Sequence, residues 1–446
     1  MTAMNFKMIN SLRFNQVYLW DYLSHFKQPE TLEYHFPVVQ LNEVITQRKN
    51  IITIDDDIEY KRCRVQLYAK GVGLRDEVKG IEIKTKKQQV CRPNDFLVAE
   101  IDAKSGGYGI VPHHLDGAVV SNHYFLYEIN EEKLLPSFLE LYIKTDAFFQ
   151  QIKAVGSTNY AAIRSSHVLG YSIVLPDLDT QNQLVNQYNK NLAKAQKAEN
   201  QANELNKSVE NNFLNELGIE KSKEKEKKIG LQFLRLKDLE KWGVDKSDTW
   251  IIDPKYKEFK IEDICKVSSG GTPNRNNRLF YENGTIPWIK TGELNNGIIY
   301  SSEEKITEIG LKNSSAKLYD VDSVLIAMYG ATIGKTAKLG VVATTNQACA
   351  VLFSINNNIV LTDYVWVYLQ CHVDLLKSMA QGSAQPNLNA SIIKNFNIQI
   401  PDIEKQGELV SHFFETKEQI KNLRQQAEKL RKQAKENFEK EIFVTT

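Results

Sequence analysis

The 446-residue chain has few of the features that mark membrane, secreted or metal-binding proteins. No apolar run approaches the ~18 residues that a membrane-spanning helix needs. Residues 1–12 lack the charged, apolar and small-residue blocks of a signal peptide. The five cysteines form no Cys-x-x-Cys pair, and the eight histidines add no spacing typical of a metal site. These absences argue against membrane and metal-binding classes, and they predict reduced thiols in a cytoplasmic protein.

Motifs for catalysis are missing as well. Residues 330–336 resemble a phosphate-binding loop, but three residues separate the glycines where such a loop has four. We therefore expect a tight turn between strands, in which the glycines supply positive φ angles. His113 and His114 are expected in an exposed loop, and no methyltransferase motif or glycine-rich cofactor loop is present. The sequence thus predicts that this chain is not an enzyme and binds no metal and no cofactor.

A long polar segment with regularly spaced apolar residues occurs twice. Residues 176–185 recur as residues 401–410, an offset of 225, and the match continues without a gap along each segment. The apolar residues alternate at steps of three and four, which is the heptad spacing of a paired helix. Pro176-Asp177 and Pro401-Asp402 are typical of helix starts, where the acid stabilises the N-terminus, rather than of a nuclease site.

Each of these helices is expected to run roughly 37 residues, or about 55 Å. A narrow apolar seam cannot bury itself alone, so we expect the two helices to bury each other as a coiled coil. The alternative is a pair of core helices in an ordinary domain. The residues expected in the pairing are Leu184, Tyr188, Leu205, Val209, Phe213, Leu409, Phe413, Ile420, Leu423, Leu430 and Phe438.

The duplication extends beyond the helices. Phe138 recurs as Tyr364, an offset of 226, and Gly107 recurs as Gly334, an offset of 227. Such drift indicates small loop insertions in two copies of one fold. Each copy mixes short strands with one or two helices, so the predicted fold class is α+β, with two pseudo-repeated mixed α/β domains separated by two long helices. The expected segments are a first domain at 1–175, the first long helix at 176–217, a charged linker and the start of the second repeat at 218–251, a second domain at 252–400 and the second long helix at 401–443.

Loops at matching positions of the two copies carry polar and basic side chains. With a net charge of +1, nucleic-acid binding would have to rest on such local clusters. Arg and Lys suit guanine and phosphate, Asn and Gln suit adenine, and Ser and Thr position phosphates. The alternative is that each cluster is an ordinary solvated loop. The candidate DNA-binding residues are Lys84, Lys86, Lys87, Lys104, Tyr108, Ser157, Thr158, Asn159, Tyr160, Arg164, Thr272, Asn274, Arg275, Arg278, Lys290, Tyr329, Lys335, Gln347, Ser383, Gln385 and Asn387.

Further motifs lie at 269–273, 284–291, 330–335 and 345–347 in the second copy, and at 101–112 and 115–120 in the first copy. In this order, and twice, the motifs resemble those of the specificity subunit of type I restriction-modification systems over nearly the whole chain. Leu12-Arg13 and Leu234-Arg235 fit the starts of the family's two domains, and Pro176 and Pro401 fit the starts of its two spacer helices.

The resemblance implies a non-catalytic subunit with two target-recognition domains held apart by antiparallel coiled-coil helices. Each domain would read one half of an asymmetric bipartite site in double-stranded DNA. The helices would act as a ruler and as the docking platform for two methylation subunits, which carry S-adenosylmethionine. Two restriction subunits would carry ATP and Mg. None of these cofactors would bind to this chain.

Two other interpretations stay open. A coiled-coil protein–protein scaffold without DNA recognition explains the helices, but it does not explain two large loop-rich domains. An enzyme that acts on nucleotides rests only on the incomplete phosphate-loop pattern of residues 330–336.

Overall fold

The computed structural model describes residues 33–152, 162–221, 250–380 and 387–444. The chain divides into two compact units, Met1–Lys197 with Gln426–Thr446 (the first unit) and Ala198–Gln425 (the second unit). The expected domain starts near Leu12 and Leu234 lie outside the described residues, as does most of the charged linker. Among the described residues, no helix combines the length and the apolar character needed to cross a membrane.

The strands are short and fall into two groups along the chain. The strands before the first long helix are β1 (Glu33–Tyr34), β2 (Val38–Gln40), β3 (Ile45–Arg48), β4 (Ile51–Thr53), β5 (Glu59–Gln66), β6 (Gly71–Lys79), β7 (Lys87–Val90), β8 (Phe96–Ala99), β9 (Tyr108–Ile110), β10 (Val119–Val120), β11 (Tyr124–Ile129) and β12 (Ser172–Val174). The later strands are β13 (Ile219–Lys221), β14 (Trp250–Ile252), β15 (Glu258–Lys260), β16 (Lys266–Ser269), β17 (Ile286–Ile289), β18 (Ile298–Ile299), β19 (Glu304–Ile306), β20 (Val324–Ala327), β21 (Thr336–Leu339), β22 (Thr344–Thr345), β23 (Cys349–Phe353), β24 (Asn397–Gln399) and β25 (Phe443–Val444).

Two long α-helices and several short ones accompany these strands. The helices are α1 (Pro136–Tyr142), α2 (Asp146–Phe149), α3 (Ser165–Leu169), α4 (Leu178–Glu216), α5 (Ile261–Ile264), α6 (Glu308–Lys312), α7 (Thr362–Cys371), α8 (Val373–Met379), α9 (Ala390–Lys394) and α10 (Ile403–Ile442). The long helices α4 and α10 have 39 and 40 residues, close to the length that the repeated seam predicts.

The first unit is built around a four-stranded sheet in the order β3-β11-β8-β9 and a five-stranded sheet in the order β4-β7-β10-β5-β6. β12 pairs antiparallel with β2, which returns the chain to the start of the domain just before α4. The main core of the unit packs Phe96, Tyr127 and Phe138 together with Val185 of α4 and Phe438 of α10. Both long helices therefore share the core of this domain.

The second unit has a five-stranded sheet in the order β16-β23-β20-β21-β18 and a three-stranded sheet in the order β19-β17-β22. β15 pairs antiparallel with β24 just before α10. Its main core packs Leu352 of the sheet and Tyr364 of α7 against Phe213 of α4 and Phe413 of α10.

The sheet order confirms the duplication. The order β3-β11-β8-β9 in the first unit matches β16-β23-β20-β21 in the second, and the pair β2–β12 matches β15–β24. The aromatic helix recurs too, because Phe138 on α1 and Tyr364 on α7 contact the equivalent rings Phe438 and Phe213, with centroids 5.7 and 5.8 Å apart. The predicted fold class is confirmed: α+β, with two pseudo-repeated mixed domains and two long helices that pack on each other.

One predicted equivalence is wrong by a single residue. The Ala99 amide donates to the Gly107 carbonyl at 2.9 Å, and the Ala327 amide donates to the Lys335 carbonyl at 2.8 Å. Gly107 therefore corresponds to Lys335, an offset of 228, and not to Gly334. In a strand, such a one-residue shift exchanges the inward and outward faces.

The long helices pack antiparallel within each unit. In the second unit Lys405 pairs with Glu216 at 3.2 Å, and Phe413 packs edge-on against Phe213 with ring centroids 6.3 Å apart. In the first unit Tyr188 packs edge-on against Phe438 at 6.2 Å. Because residues 188 and 213 recur as 413 and 438, these two ring pairs are the same contact made once in each unit.

The residues of the predicted seam are buried or half-buried throughout. Those that are buried are Val209, Phe213, Leu409, Phe413, Ile420 and Phe438, and those that are half-buried are Leu184, Tyr188, Leu205, Leu423 and Leu430.

A buried glutamine fastens each domain to its helix. Gln181 and Gln406 are fully buried, and each side chain donates to two backbone carbonyls at 2.8 to 3.1 Å. Each also accepts a backbone amide at 2.8 Å, from Leu135 and Leu361 respectively. The first turn of each long helix is thereby tied to the loop that precedes α1 or α7.

Candidate nucleic-acid interface

In the second unit, several strand ends converge on one edge. Backbone hydrogen bonds link the end of β16 to the start of β23 (Gly270 to Cys349, 3.1 Å) and the end of β17 to the β22–β23 turn (Asn346 to Ile289, 2.9 Å). The end of β20 is joined to the same turn and to the segment before α9, since the Met328 carbonyl accepts from Leu388 at 2.9 Å. The predicted residues brought together at this edge are Thr272, Lys290, Tyr329, Lys335, Gln347 and Asn387.

The loop after β16 is held by two aromatic side chains. Tyr281 donates its hydroxyl to the Pro273 carbonyl at 2.6 Å, and Trp288 donates its indole N–H to the Gly271 carbonyl at 2.9 Å. The Arg275 guanidinium lies over both rings, 4.8 Å from Tyr281 and 4.4 Å from Trp288. Such stacking fixes the orientation of an arginine whose flat face and donors suit guanine or phosphate.

A single carboxylate joins two of the predicted cations. Glu304 pairs with Arg275 and accepts from the Lys290 amine at 2.9 Å. These hydrogen bonds, that from Arg275 first, lower the pKa of Glu304, and the same carboxylate raises the pKa of Arg275 and of Lys290. The Glu304 carboxylate therefore stays ionised and holds both cations at the edge. By contrast, Arg278 and Asn274 are exposed on the same loop, and the ion pair of Arg278 with Glu282 is long, at 3.9 Å.

The turn that resembles a phosphate loop is confirmed as a strand connection. Gly330 and Gly334 have φ angles of 72° and 80°, in the left-handed region that favours glycine. A β-carbon on Gly334 would lie 2.9 Å from the Val373 side chain, so this position also needs the close approach that glycine allows. Lys335 ends the turn with an exposed side chain.

The sequence interpretations of the two capping aspartates and of the two neighbouring histidines are also confirmed. Asp177 and Asp402 each accept an amide hydrogen bond from the residue three positions on, at 2.9 and 2.8 Å, so they cap α4 and α10. His113 and His114 are exposed in a short 3-10 helix. All five cysteines are buried, and none of them forms a disulfide. Within the described ranges, no cluster of His, Cys, Asp and Glu could hold a metal ion.

In the first unit, the equivalent edge follows β8. Glu100 donates its amide to the His123 carbonyl at 2.9 Å and accepts from Ile163 at 2.9 Å, which matches the contact between Met328 and Leu388. Lys104 lies half-buried in the 3-10 helix Asp102–Ser105 of this connection, and the exposed Arg164 follows Ile163. Lys104 and Arg164 therefore occupy the edge that corresponds to the one in the second unit.

The three candidate lysines near β7 differ in exposure and in the contacts that their amines make. Lys84 and Lys87 are exposed, whereas Lys86 pairs with Asp56 and donates to the Gly80 carbonyl at 2.8 Å. Lys87 opens β7 two residues before Gln89, which donates to the Tyr124 carbonyl at 2.8 Å. This contact places Lys87 at the end of β7 that lies nearest the β10–β11 connection.

Tyr108 is the one described candidate that the structure contradicts. It is 1% exposed, and its ring packs against Phe96 and Phe148 with centroids 6.4 and 5.5 Å apart. Tyr108 begins β9 with its side chain turned into the core, so it is a packing residue and not a DNA contact. The candidates that lie outside the described residues are Ser157, Thr158, Asn159, Tyr160, Ser383 and Gln385.

Sequence reasoning missed two features of these edges. Glu304 was not singled out, although its contacts determine how Arg275 and Lys290 are held. The β5–β6 hairpin was missed entirely, and its tip places an exposed Tyr68 beside the connection that carries Lys104, with the Tyr68 amide donating to Ser105 at 2.7 Å. The turn residues at its tip, Tyr-Ala, are not ones that normally signal a hairpin.

The helix pair carries a groove at an equivalent place in each unit. The groove of the second unit has a volume of about 520 Å³ and that of the first about 380 Å³. Ten residues line the groove of the second unit. Each of these ten positions has an equivalent 225 residues away that lines the groove of the first unit. The ten pairs are Val209 and Ala434, Asn212 and Asn437, Phe213 and Phe438, Asn215 and Lys440, Glu216 and Glu441, Lys405 and Thr180, Glu408 and Gln183, Leu409 and Leu184, His412 and Gln187, and Phe413 and Tyr188.

Comparison with known proteins finds similarities in both sequence and fold. Residues 253–432 match the type I restriction modification DNA specificity domain. The EcoR124I/EcoR124II specificity subunit of Escherichia coli is 30% identical over 35% of this chain and 40% of its own length. The MjaIX specificity subunit of Methanocaldococcus jannaschii is 31% identical over 40% of this chain and 42% of its own length. These two matches thus span less than half of either relative.

Longer matches exist at lower identity. The HindI specificity subunit of Haemophilus influenzae is 24% identical over 71% of this chain and 79% of its own length. A solved chain from work on complex assembly and conformational transition of the type I R-M system covers 93% of this chain and 99% of its own length, with a TM-score of 0.61 and 18% identity. The HsdS subunit from Thermoanaerobacter tengcongensis covers 93% and 98%, with a TM-score of 0.51 and 16% identity. The specificity domain, the relatives and the shared fold agree: residues 253–432 match a type I restriction modification DNA specificity domain, and the chain as a whole is similar to type I restriction enzyme specificity subunits.

Proposed function

We propose that this chain is the non-catalytic DNA-recognition subunit of a type I restriction-modification complex, and that it reads an asymmetric bipartite site with one half per domain. The observation that carries the proposal is the repeated edge, where the same strand ends converge in both units but present different side chains. Two domains that share a backbone and differ in their polar groups would read two unlike half-sites.

The chemistry at the two edges supports different readings. At one equivalent pair of positions, the first unit has the half-buried Glu100, whereas the second has Met328, which is buried in the core and leaves no polar group there. The second unit adds the stacked Arg275 and the Lys290 amine, both held by Glu304. An arginine prearranged in this way suits guanine, whereas Gln347 suits adenine. We therefore expect the second domain to read one half-site through Arg275, Lys290 and Gln347. The first domain would read the other half-site through the edge that carries Lys104 and Arg164.

The helix pair serves, in this proposal, as both ruler and docking platform. A partner present in two identical copies needs two equivalent surfaces, and the ten lining positions of one groove recur in the other, with the asparagine, phenylalanine and glutamate at 212, 213 and 216 unchanged at 437, 438 and 441. We propose that each groove takes one methylation subunit. These subunits would carry S-adenosylmethionine and flip the target adenine, while two restriction subunits would carry ATP and Mg. This chain would bind none of these cofactors, and the complex would act on DNA in the cytoplasm.

The grooves offer a matched test of docking. Asn212 and Asn437 are exposed at equivalent positions, one in each groove. Asn212→Trp and Asn437→Trp should each fill one groove, so each variant should bind one methylation subunit and the double variant none, as measured by light scattering of the purified complex. Asn211→Trp, one residue away and outside the lining, is the control. Two copies bound to the double variant would contradict this docking site.

Duplex binding by the complex separates DNA recognition from the scaffold interpretation. The complex with methylation subunits should bind duplex DNA with an affinity that falls as salt rises. Lys335→Ala should weaken this binding, because Lys335 is exposed at the edge. Binding that is absent at every salt concentration would favour a scaffold, and nucleotide binding by the isolated chain that Lys335→Ala removes would favour the enzyme interpretation.

A further inference from the structure

The tip of the β5–β6 hairpin is a strained segment to which the repeated edge gives no role. β5 and β6 have 8 and 9 residues and are joined by residues 67–70. The two central residues, Tyr68 and Ala69, have φ angles of 62° and 52°. Turns of this geometry prefer Asn-Gly, because a β-carbon is disfavoured at positive φ. A tyrosine and an alanine in these positions are strained, and such strain is concentrated at functional sites.

The connection between β8 and β9 holds this strained tip in place. Tyr68 and Ala69 donate their amides to the carbonyls of Ser105 and Gly106, at 2.7 and 2.9 Å. A β-carbon on Gly106 would lie 2.6 Å from the Ala69 nitrogen, and one on Gly109 would lie 2.7 Å from the Gly71 Cα. Both glycines are therefore required for the close approach, and the tip is fixed to the same connection that carries Lys104.

The ring at the tip is presented outward. Tyr68 is 78% exposed, the largest value among the exposed apolar and aromatic side chains of the described residues. The Lys70 amine lies 5.9 Å from its ring centroid, and the neighbouring Leu67 is 42% exposed. An apolar face with a cation beside it suits a base edge next to a phosphate, and a two-stranded β-ribbon fits the major groove of DNA.

We propose that Tyr68 is a specificity-determining residue of the first domain, and that its ring packs against the 5-methyl group of a thymine in the major groove. This inference rests on the proposed function, because it assumes that the first domain reads one half-site. The thymine methyl is the one apolar group that a base presents in the major groove. Lys70 would contact the adjacent phosphate.

Two variants test the role of the ring without endangering the fold. Tyr68→Asn combined with Ala69→Gly introduces the pair that the turn prefers, so the domain should fold at least as well while the ring is lost. Methylation by the complex, mapped by long-read sequencing of N6-methyladenine, should then tolerate other bases at one thymine position of one half-site. We expect a loss of discrimination of roughly tenfold at that position, with the other half-site and the gap unchanged. Tyr68→Phe keeps the ring and should keep the motif.

An exposed tyrosine elsewhere provides the control. Tyr300 is 70% exposed in the second unit, and it lies at the far end of β21 from Lys335, because β18 runs parallel to β21 with Ile299 opposite Leu339. Tyr300→Ala should leave the motif unchanged.

DNA binding by the wild-type complex provides a second readout. Replacing the thymine that Tyr68 is proposed to contact by uracil removes only the 5-methyl group. This replacement in a duplex should weaken binding by a factor of roughly ten.

The outcomes separate this inference from the proposed function. A split motif that is identical for the wild type and for the double variant, or that is indifferent to uracil, overturns the role of Tyr68 and leaves bipartite recognition standing. A change of equal size in both half-sites also overturns it. If the wild-type complex gives no split motif, the proposed function itself fails.

Discussion

A buried ion pair in the first unit illustrates what single residues contribute. Arg48 donates to Asp95 at 2.8 Å and to the Val90 carbonyl at 2.9 Å, and Asp95 also accepts the Arg92 amide at 2.6 Å. Asp95 is 3% exposed. Its equivalent at the offset of 228, Ser323, is buried but carries no charge, so the repeat gave no sign of this role.

Removing one partner of this pair should be costly. Arg48→Ala leaves a carboxylate buried without its cation, which typically costs about 3–5 kcal/mol. We expect a loss of that order in the free energy of unfolding of the first unit, measured by urea denaturation of the full chain. Arg62→Ala is the matched control, because its pair with Asp76 is more exposed, with 24% and 35% of the two side chains accessible, so solvent screens it and its loss should cost no more than about 1 kcal/mol. Equal losses for both variants would contradict this account.

Tyr108 shows why single positions were predicted less well than segments. It stands in a polar, glycine-rich stretch, which suggested an exposed loop. The strand pairing instead sets Tyr108 opposite Val98, just as Thr336 stands opposite Ile326, and both Tyr108 and Thr336 are buried. Sequence offsets locate a strand to within a residue or two, whereas the choice between faces changes with every residue.

At the scale of elements, the long helices were predictable and the β5–β6 hairpin was not. The seam of α4 and α10 repeats without a gap, so both helices and their capping aspartates follow from the sequence. In β5, a register shift lies between Arg62 and Cys63 and reverses the alternation of exposed and less exposed residues. Before the shift the less exposed residues are Tyr60 and Arg62, and after it they are Cys63 and Val65. A bulge of this kind conceals the period-two pattern on which strand prediction depends.

The repeated glutamine predicts two equal effects. Gln181 and Gln406 make the same three hydrogen bonds while fully buried, so alanine at either position orphans two carbonyls and one amide. Each unmet buried group costs about 1–3 kcal/mol. We expect Gln181→Ala and Gln406→Ala to destabilise their own units by similar amounts, measured as protection of backbone amides from hydrogen exchange in each unit. A variant that lowers protection equally in both units would show that the hydrogen bonds of this glutamine do not act only on their own unit.

At the scale of the whole molecule, the helices should set the gap between half-sites. Seven residues of helix correspond to about 10 Å. Deleting one heptad from α10 should therefore alter or abolish recognition by the complex, while alanine substitutions at the exposed positions of that heptad keep its length and should preserve it. Methylation mapping of both variants measures the effect. Unchanged methylation of the original site by the deletion variant would exclude the ruler.

The central claim is that two domains of one fold read two unlike sequences at a fixed distance. The most direct measurement is long-read sequencing of DNA from cells that express this chain with its methylation subunit, scored for N6-methyladenine. The account predicts one asymmetric motif that is split by a gap of constant length. A continuous motif, two identical half-sites, or no motif although the methylation subunit is active and bound, would contradict it.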